Sequence, residues 1–146
     1  MKRWPACAAP PKREKGSRER LDMNWLWVAL GGALGSMLRY GFARIWPAAP
    51  GGFPVPTLTV NLIGSFAIGL LYIWLSGRLG LGNDSARLFW MTGVLGGFTT
   101  YSAFALESTL LGFSLTGAAY VLVTVIGCIG LASLGRMVGT LMLTQV

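Results

Sequence analysis

The sequence predicts an all-α membrane protein with four transmembrane helices, the third of which is broken near its middle. Hydrophobic residues make up 53% of the 146 residues and charged residues only 12%, so a soluble core of this size cannot hide the apolar surface. Apolar stretches of about 20 residues, the length that spans a bilayer, recur four times after Met23. Paired glycines and paired threonines interrupt the third stretch, and neither pair favours helix.

Residues 1–22 form a leader that differs in composition from the rest of the chain. It contains seven of the twelve basic residues, mixed with glutamates and prolines. Such a segment buries too little apolar surface to order itself, so we predict that it is disordered. No apolar core follows closely behind its basic start, and a secretory signal peptide is not indicated. Met23 is an alternative start, and residues 23–146 are predicted to form one four-helix transmembrane domain in either case.

The four helices are predicted, in chain order, over residues 24–45, 56–75, 88–111 and 115–138. Tryptophans lie near the ends of the first three, at the headgroup level that amphipathic rings favour; they are Trp25, Trp27, Trp46, Trp74 and Trp90. Glycines together with Asn83 and Asp84 make residues 76–87 the longest loop.

The arginines outside the leader give little information on orientation, because they fall at several helix ends. They are Arg39, Arg44, Arg78, Arg87 and Arg136. This weak bias predicts insertion in both orientations. The charges of the leader would instead hold the N-terminus in the cytoplasm, and the sequence leaves both possibilities open.

Glycine pairs at a spacing of four residues predict close packing of helices in lipid. The pairs are Gly31 with Gly35, Gly93 with Gly97, and Gly135 with Gly139. Four short helices make a thin bundle with little room for an internal pathway, so oligomerisation is also predicted.

The break in the third helix lies in the stretch GGFTTYSAF, residues 96–104. Non-helical backbone at membrane depth is tolerated only where it is buried in protein or lines a polar cavity. The freed carbonyl groups of Gly96 and Thr99 could bind a cation. Tyr101 and Phe104, three residues apart, would share one helix face and present ring edges that carry partial positive charge.

Hydrogen-bond donors line up on the other helices. In the fourth helix, Tyr120, Thr124 and Cys128 recur every four residues and form a ladder on one face. Asn61, near the start of the second helix, adds an amide. The alternatives are that Asn61 makes a hydrogen bond between helices, that the hydroxyl groups bond to the preceding turn, and that the tyrosine is an interfacial anchor.

Two charged residues within the predicted spans could each have one of two roles. Arg39 could extend to the interface as an anchor or, beside a vestibule, attract anions. Glu107 is the only carboxylate within a predicted span, and intramembrane carboxylates are functional by default. It could equally pair with Arg87, or with Arg39 of a neighbouring chain.

The residue inventory indicates transport rather than catalysis. There is no histidine, no phosphate-binding loop, no nucleophile with a base and no metal-ligand cluster, so an enzyme is not predicted. The formal charge of +7 lies mostly in the leader and does not indicate a nucleic-acid partner. Donors outnumber acceptors along the polar faces, which suits a small anion that requires hydrogen bonds.

Three stretches, residues 31–40, 57–66 and 96–104, closely resemble the signatures of the CrcB or Fluc fluoride channels in order and separation. The resemblance implies a fluoride-specific channel in the prokaryotic plasma (inner) membrane, where it confers fluoride resistance by passive export that lowers cytoplasmic fluoride. It also implies an antiparallel homodimer, inserted in both orientations, with two pores and a structural sodium ion at its centre.

By position, the resemblance assigns Gly96 and Thr99 to the sodium-binding carbonyls, Asn61 to the pore amide and Phe104 to the second position of an aromatic box. Tyr101 occupies the first position, where phenylalanine is expected. The implied fluoride pathway is completed by Tyr120, Thr124, Cys128, Arg39, Ser102 and Glu107. Threonine and cysteine stand in the fourth helix where serines are usual.

Two other classes of protein remain as alternatives. A proton-coupled small multidrug exporter would also have four short helices, but it needs a carboxylate in the first helix, and residues 24–38 contain none. A non-transporting assembly subunit would explain the packing glycines but not a broken helix flanked by donors.

Overall fold

A computed structural model describes residues 15–47, 52–78 and 84–144 of the chain. Five helical segments follow one another: α1 (Lys15–Ile45), α2 (Val55–Arg78), α3 (residues 84–98), α4 (Tyr101–Leu111) and α5 (Leu115–Thr144). Most of α3 is π-helical, over Leu88–Leu95. No strand occurs within these described ranges, and the predicted all-α class is confirmed.

The first and last helices are longer than predicted. α1 begins at Lys15, so residues 15–22 of the leader are helical rather than disordered. Arginine, glutamate and leucine are good helix formers, and adding turns to an existing helix costs far less than nucleating one. Residues 1–14 lie outside the described ranges, where disorder stays a prediction. α5 continues to Thr144, past the predicted end at residue 138.

Two of the described helices are long and apolar enough to cross a membrane, over Val55–Ser76 and Leu115–Thr144. Large apolar side chains on the outside of the chain are exposed, including Met37, Leu110 and Ile126. So many exposed large apolar side chains are unusual on a soluble monomer and indicate lipid or protein partners.

The helices pack as two pairs, with α1 against α3 and α2 against α5. The predicted glycine pairs lie in these contacts. A Cβ atom at Gly35 would overlap the carbonyl oxygen of Val94, and one at Gly135 would overlap that of Phe66. The backbones therefore approach more closely than any larger residue allows, as expected for packing in lipid.

We expect Gly35→Ala to separate α1 from α3 and lower the free energy of unfolding by about 1–3 kcal/mol, the usual cost of overpacking. The matched control is Gly41→Ala on the same helix, where an added Cβ has no described atom within 4 Å. That control should be neutral or stabilising, because alanine favours helix over glycine. Thermal unfolding in detergent measures both variants, and equal midpoints would contradict the prediction.

Candidate ion pathway

The helix is interrupted at two threonines. α3 ends at Phe98, and Thr99 (ψ 158°) and Thr100 (φ −147°, ψ 108°) are extended before α4 begins at Tyr101. Gly96 and Gly97 remain helical. The Thr99 hydroxyl donates to the Leu95 carbonyl (2.8 Å), and the Thr100 hydroxyl accepts from the Ala103 amide (3.2 Å). The Thr100 hydroxyl thus caps the start of α4, whereas the Thr99 hydroxyl adds a second bond to a carbonyl that already accepts from the Thr99 amide (3.0 Å).

Asn61, on α2, forms two hydrogen bonds with the backbone of Thr100 at the break. The Thr100 amide donates to Asn61 Oδ1 (2.8 Å), and Asn61 Nδ2 donates to the Thr100 carbonyl (3.0 Å). Both residues are 8% exposed, so without Asn61 two buried backbone groups would lack partners. In a continuous helix the Thr100 amide would bond to the carbonyl of Gly96. The Asn61–Thr100 pair, called the clamp below, therefore releases that carbonyl.

A cavity of about 420 Å³ opens beside the break. α2, α3, α4 and α5 each contribute to its wall. Seven of the predicted site residues line it, namely Asn61, Gly96, Thr99, Tyr101, Phe104, Thr124 and Cys128. The structure thus brings the candidate cation site, the aromatic pair and part of the donor ladder together in one place.

The Thr124 hydroxyl has no hydrogen-bond partner in the described part of the chain. Among the buried side-chain polar atoms of those residues, it is the one of which this is true. The residue is 4% exposed, and its hydroxyl does not bond to the preceding turn as Thr140 does (3.0 Å to the Arg136 carbonyl). Leaving a buried hydroxyl unpaired costs about 1–3 kcal/mol. Thr124 lines the cavity, so an anion or water that reached this hydroxyl would supply the missing partner.

Aromatic rings border the cavity next to the clamp. The Phe104 ring centre lies 5.7 Å from that of Tyr101 and 5.4 Å from that of Tyr120. Phe104 is 8% exposed, whereas Tyr101 is 80% exposed. The rings at positions 101 and 104 therefore lie side by side as predicted, with that of Phe104 in the core and that of Tyr101 on the surface of the chain.

Glu107 joins three helices. Its Oε1 accepts from the Thr57 hydroxyl and its Oε2 from the Tyr120 hydroxyl, both at 2.7 Å. Within the chain, each carboxylate oxygen thus accepts from a hydroxyl group. Tyr120 is fully buried and does not line the cavity. The predicted ladder therefore divides, because Tyr120 donates to Glu107 while Thr124 and Cys128 lie in the cavity wall.

The two remaining predicted residues lie away from this cavity. Arg39 is half-buried and lines a second cavity of about 160 Å³, together with Thr57 and Thr100. Ser102 is exposed, with its Oγ 3.4 Å from Thr100 Oγ1. The clamp thus has one partner in the wall of each cavity, Asn61 in the larger and Thr100 in the smaller.

A family model described as CrcB-like protein, Camphor Resistance (CrcB), matches residues 26–136. A Paracoccus denitrificans protein named fluoride-specific ion channel FluC is 44% identical over 119 residues, covering 80% of this chain and 94% of the relative. The chain belongs to the CrcB family. A Helicobacter acinonychis protein of the same name is 42% identical over 119 residues (77% of this chain, 92% of the relative). One from Thermus thermophilus is 53% identical over 90 residues (60% and 70%).

The break of this CrcB-family chain suits a sodium ion chemically. Hard oxygen ligands from unwound backbone are the usual sodium ligands in membrane proteins, and the clamp frees the carbonyl of Gly96. Gly96 is exposed and borders the cavity together with Thr99. Among the described residues, no group of three or more histidine, cysteine, aspartate or glutamate side chains could hold a metal.

Sequence reasoning assigned no role to three polar residues of this CrcB-family site, namely Thr57, Ser65 and Thr100. Thr57 binds Glu107, Ser65 lines the larger cavity and Thr100 is the partner in the clamp. A signal for two of them was present, because Thr57, Asn61 and Ser65 recur every four residues. This spacing is the same as that of the ladder in α5.

Proposed function

We propose that the protein is a fluoride-selective ion channel through which fluoride leaves the cytoplasm passively. The unpartnered hydroxyl of Thr124 carries the proposal, because it is a buried donor in the wall of a cavity. Fluoride is a small anion that gives up its hydration only for strong hydrogen bonds or positive ring edges. The relatives named as fluoride-specific channels support this choice of ion.

The channel is proposed to work as an antiparallel dimer with two pores, inserted in both orientations in a prokaryotic plasma membrane that it crosses several times. A single chain leaves Tyr101 80% exposed beside the cavity, although an aromatic edge can contact a dehydrated anion only if water is excluded. A second copy would cover this face. The exposed apolar side chains on the helices supply the surface for such a contact.

A structural sodium ion is proposed at the centre of the dimer, held by the main-chain oxygens of Gly96 and Thr99. One chain offers two such oxygens, fewer than a sodium ion requires, so two copies would complete the set. The ion would join the copies and hold the break open, while the clamp orients the backbone that carries the ligands.

The function is tested by fluoride efflux from liposomes that contain the purified full chain, measured with a fluoride electrode. We expect fluoride to leave when its charge is compensated by a potassium ionophore and chloride to be retained. Efflux should persist when the pH gradient is collapsed, whereas a proton-coupled exporter would stop. Chloride efflux at the fluoride rate, or no efflux at all, would refute the proposal.

Phe104→Ile is expected to lower the fluoride efflux rate at least about tenfold, because it removes the aromatic quadrupole from the cavity wall. The swap keeps most of the apolar volume and should cost less than about 1.5 kcal/mol of stability. Tyr101→Phe is the matched control at the exposed ring. It deletes only a hydroxyl and should conduct at least as well as the parent. A Phe104→Ile channel running at the parent rate would show that these rings serve packing alone.

A further inference from the structure

A further cavity lies at the end of the bundle where α3 begins. Its volume is about 410 Å³, and its wall contains the polar side chains of Asn24, Asp84, Arg87 and Thr92. Asp84 is exposed and Arg87 is half-buried. Because charged groups in hydrocarbon are costly, this end of the bundle belongs at the membrane surface. The cavity, called the mouth below, is therefore within reach of water.

Met91 lies in the wall of the mouth and also in the wall of the cavity of about 420 Å³ beside the break. Its side chain is half-buried. Arg87, four residues earlier on α3, lines the mouth, and Leu95, four residues later, lines the cavity beside the break. Met91 thus stands between the mouth and the proposed ion pathway.

The pathway cavity is apolar where it approaches the mouth. Ile68 on α2 and Met91 on α3 are the residues of its wall that lie farthest along each helix from the clamp and the break. Neither side chain has a hydrogen-bond donor. An anion that moves from the mouth to the donors of the pathway therefore passes an apolar stretch, and constrictions of this kind limit conduction because water leaves them.

We propose that Met91 is the barrier of the channel at this mouth, where its apolar side chain limits the rate at which fluoride passes. This inference rests on the proposed channel function. Arg87 attracts fluoride to the mouth, and Asp84 offsets part of that attraction. The thioether of Met91 can only accept a hydrogen bond, and weakly, so it gives a passing anion no compensation for lost water.

Initial fluoride efflux from liposomes that contain the full chain tests the barrier. Met91→Gln keeps the length of the side chain and adds an amide donor, so the rate should rise about twofold or more, the effect of one weak hydrogen bond. Met91→Ala shortens the side chain and should also be faster. Met91→Leu conserves the apolar volume and should keep the parent rate. Met37→Gln is the matched control, because Met37 is 71% exposed and lines neither cavity.

The mouth is tested by charge. At low ionic strength, Arg87→Gln should lower the efflux rate and Asp84→Asn should raise it, because the two charges act on fluoride with opposite sign. An inert salt should remove both differences, since it screens exposed charges. A role in folding alone would not reverse with the sign of the charge. Changes in the same direction, or differences that persist in salt, would overturn the assignment of the mouth.

Three results would overturn the barrier: Met91→Gln and Met91→Ala both at the parent rate, both slower than the parent, or Met37→Gln accelerated as much as Met91→Gln. Chloride released together with fluoride from the faster variants would also overturn it, because a damaged wall would then explain the rate. A parent without fluoride flux would instead refute the channel function. A conducting parent beside unchanged Met91 variants refutes the barrier alone, so the two failures are distinguishable.

Discussion

Asn61→Ala is expected to abolish fluoride efflux and to destabilise the fold at the same time. The methyl group cannot replace either hydrogen bond of the clamp, 2.8 Å to the Thr100 amide and 3.0 Å to its carbonyl. Thr100 is 8% exposed, so both of its backbone groups would be buried without partners. Each such group costs about 1–3 kcal/mol, so we expect a total loss of about 2–6 kcal/mol.

The loss of flux follows from the same geometry. The clamp has partners in the walls of both cavities, and without it no side chain of α2 fixes the extended conformation of Thr100. The ring of Phe104, which follows the break on α4, would then rotate away from Thr124. Initial efflux rates from liposomes and thermal unfolding in detergent measure the two effects on the same preparations.

Ser65→Ala is the matched control, since Ser65 lies one turn further along α2 and lines the same cavity. It should keep the stability of the parent. Asn61→Asp retains an acceptor for the Thr100 amide but loses the donor and buries a negative charge beside the Thr100 carbonyl, so it should be no more stable than Asn61→Ala and should not conduct fluoride. An Asn61→Ala protein as stable as the parent would show that the clamp does not stabilise the break.

Glu107→Ala is expected to have the second-largest effect. It removes the acceptor of two buried hydroxyl groups, that of Thr57, which is 9% exposed, and that of Tyr120, which is fully buried. Glu107 joins α4 to both α2 and α5, so the loss also loosens the helix that carries the aromatic pair. We expect the free energy of unfolding to fall by about 2–4 kcal/mol and the efflux rate to fall with it.

Two companion variants separate hydrogen bonding from charge at Glu107. Glu107→Gln keeps one oxygen acceptor, and a hydroxyl partner can rotate to accept from the new amide, so this variant should lose less than about 1 kcal/mol. Adding Tyr120→Phe to Glu107→Ala removes one of the stranded hydroxyl groups and should recover part of the stability. Thermal unfolding of the parent, Glu107→Ala, Tyr120→Phe and the double variant forms a double-mutant cycle. A coupling of zero between positions 107 and 120 would contradict the hydrogen bond.

Local patterns predicted the polar faces of this protein because helix geometry alone decides which neighbours share a face. Residues at intervals of four stay together on any α-helix. Thr124 and Cys128 therefore line one cavity, and Tyr101 and Phe104 pair, as predicted. The predicted positions of the helix ends were less accurate. Charged residues extend α1 back to Lys15 without the apolar signal that marks a transmembrane span.

The partners of the polar groups could not be predicted in this way. Tyr120 and Cys128 each lie four residues from Thr124. The Tyr120 hydroxyl nevertheless donates to Glu107, and Tyr120 does not line the cavity. From the sequence, the Asn61 amide could serve either as a donor in the pore or as a partner in a hydrogen bond between helices. The structure shows it bonded to the backbone of Thr100, which is compatible with a role in the pathway because one N–H of the amide remains free.

The sequence by itself determined the all-α membrane class, the stretch in which the helix breaks and the faces that carry the donors. These properties depend on hydropathy, helix propensity and a repeat of 3.6 residues per turn, all of which are local. Only the tertiary structure decided which donors are already bonded. Asn61 meets a residue 39 positions away and Glu107 one 50 positions away, and local periodicity does not specify such contacts. Helix packing bonded Tyr120 to Glu107 and left Thr124 without a partner, and that difference assigns the two hydroxyl groups to different roles.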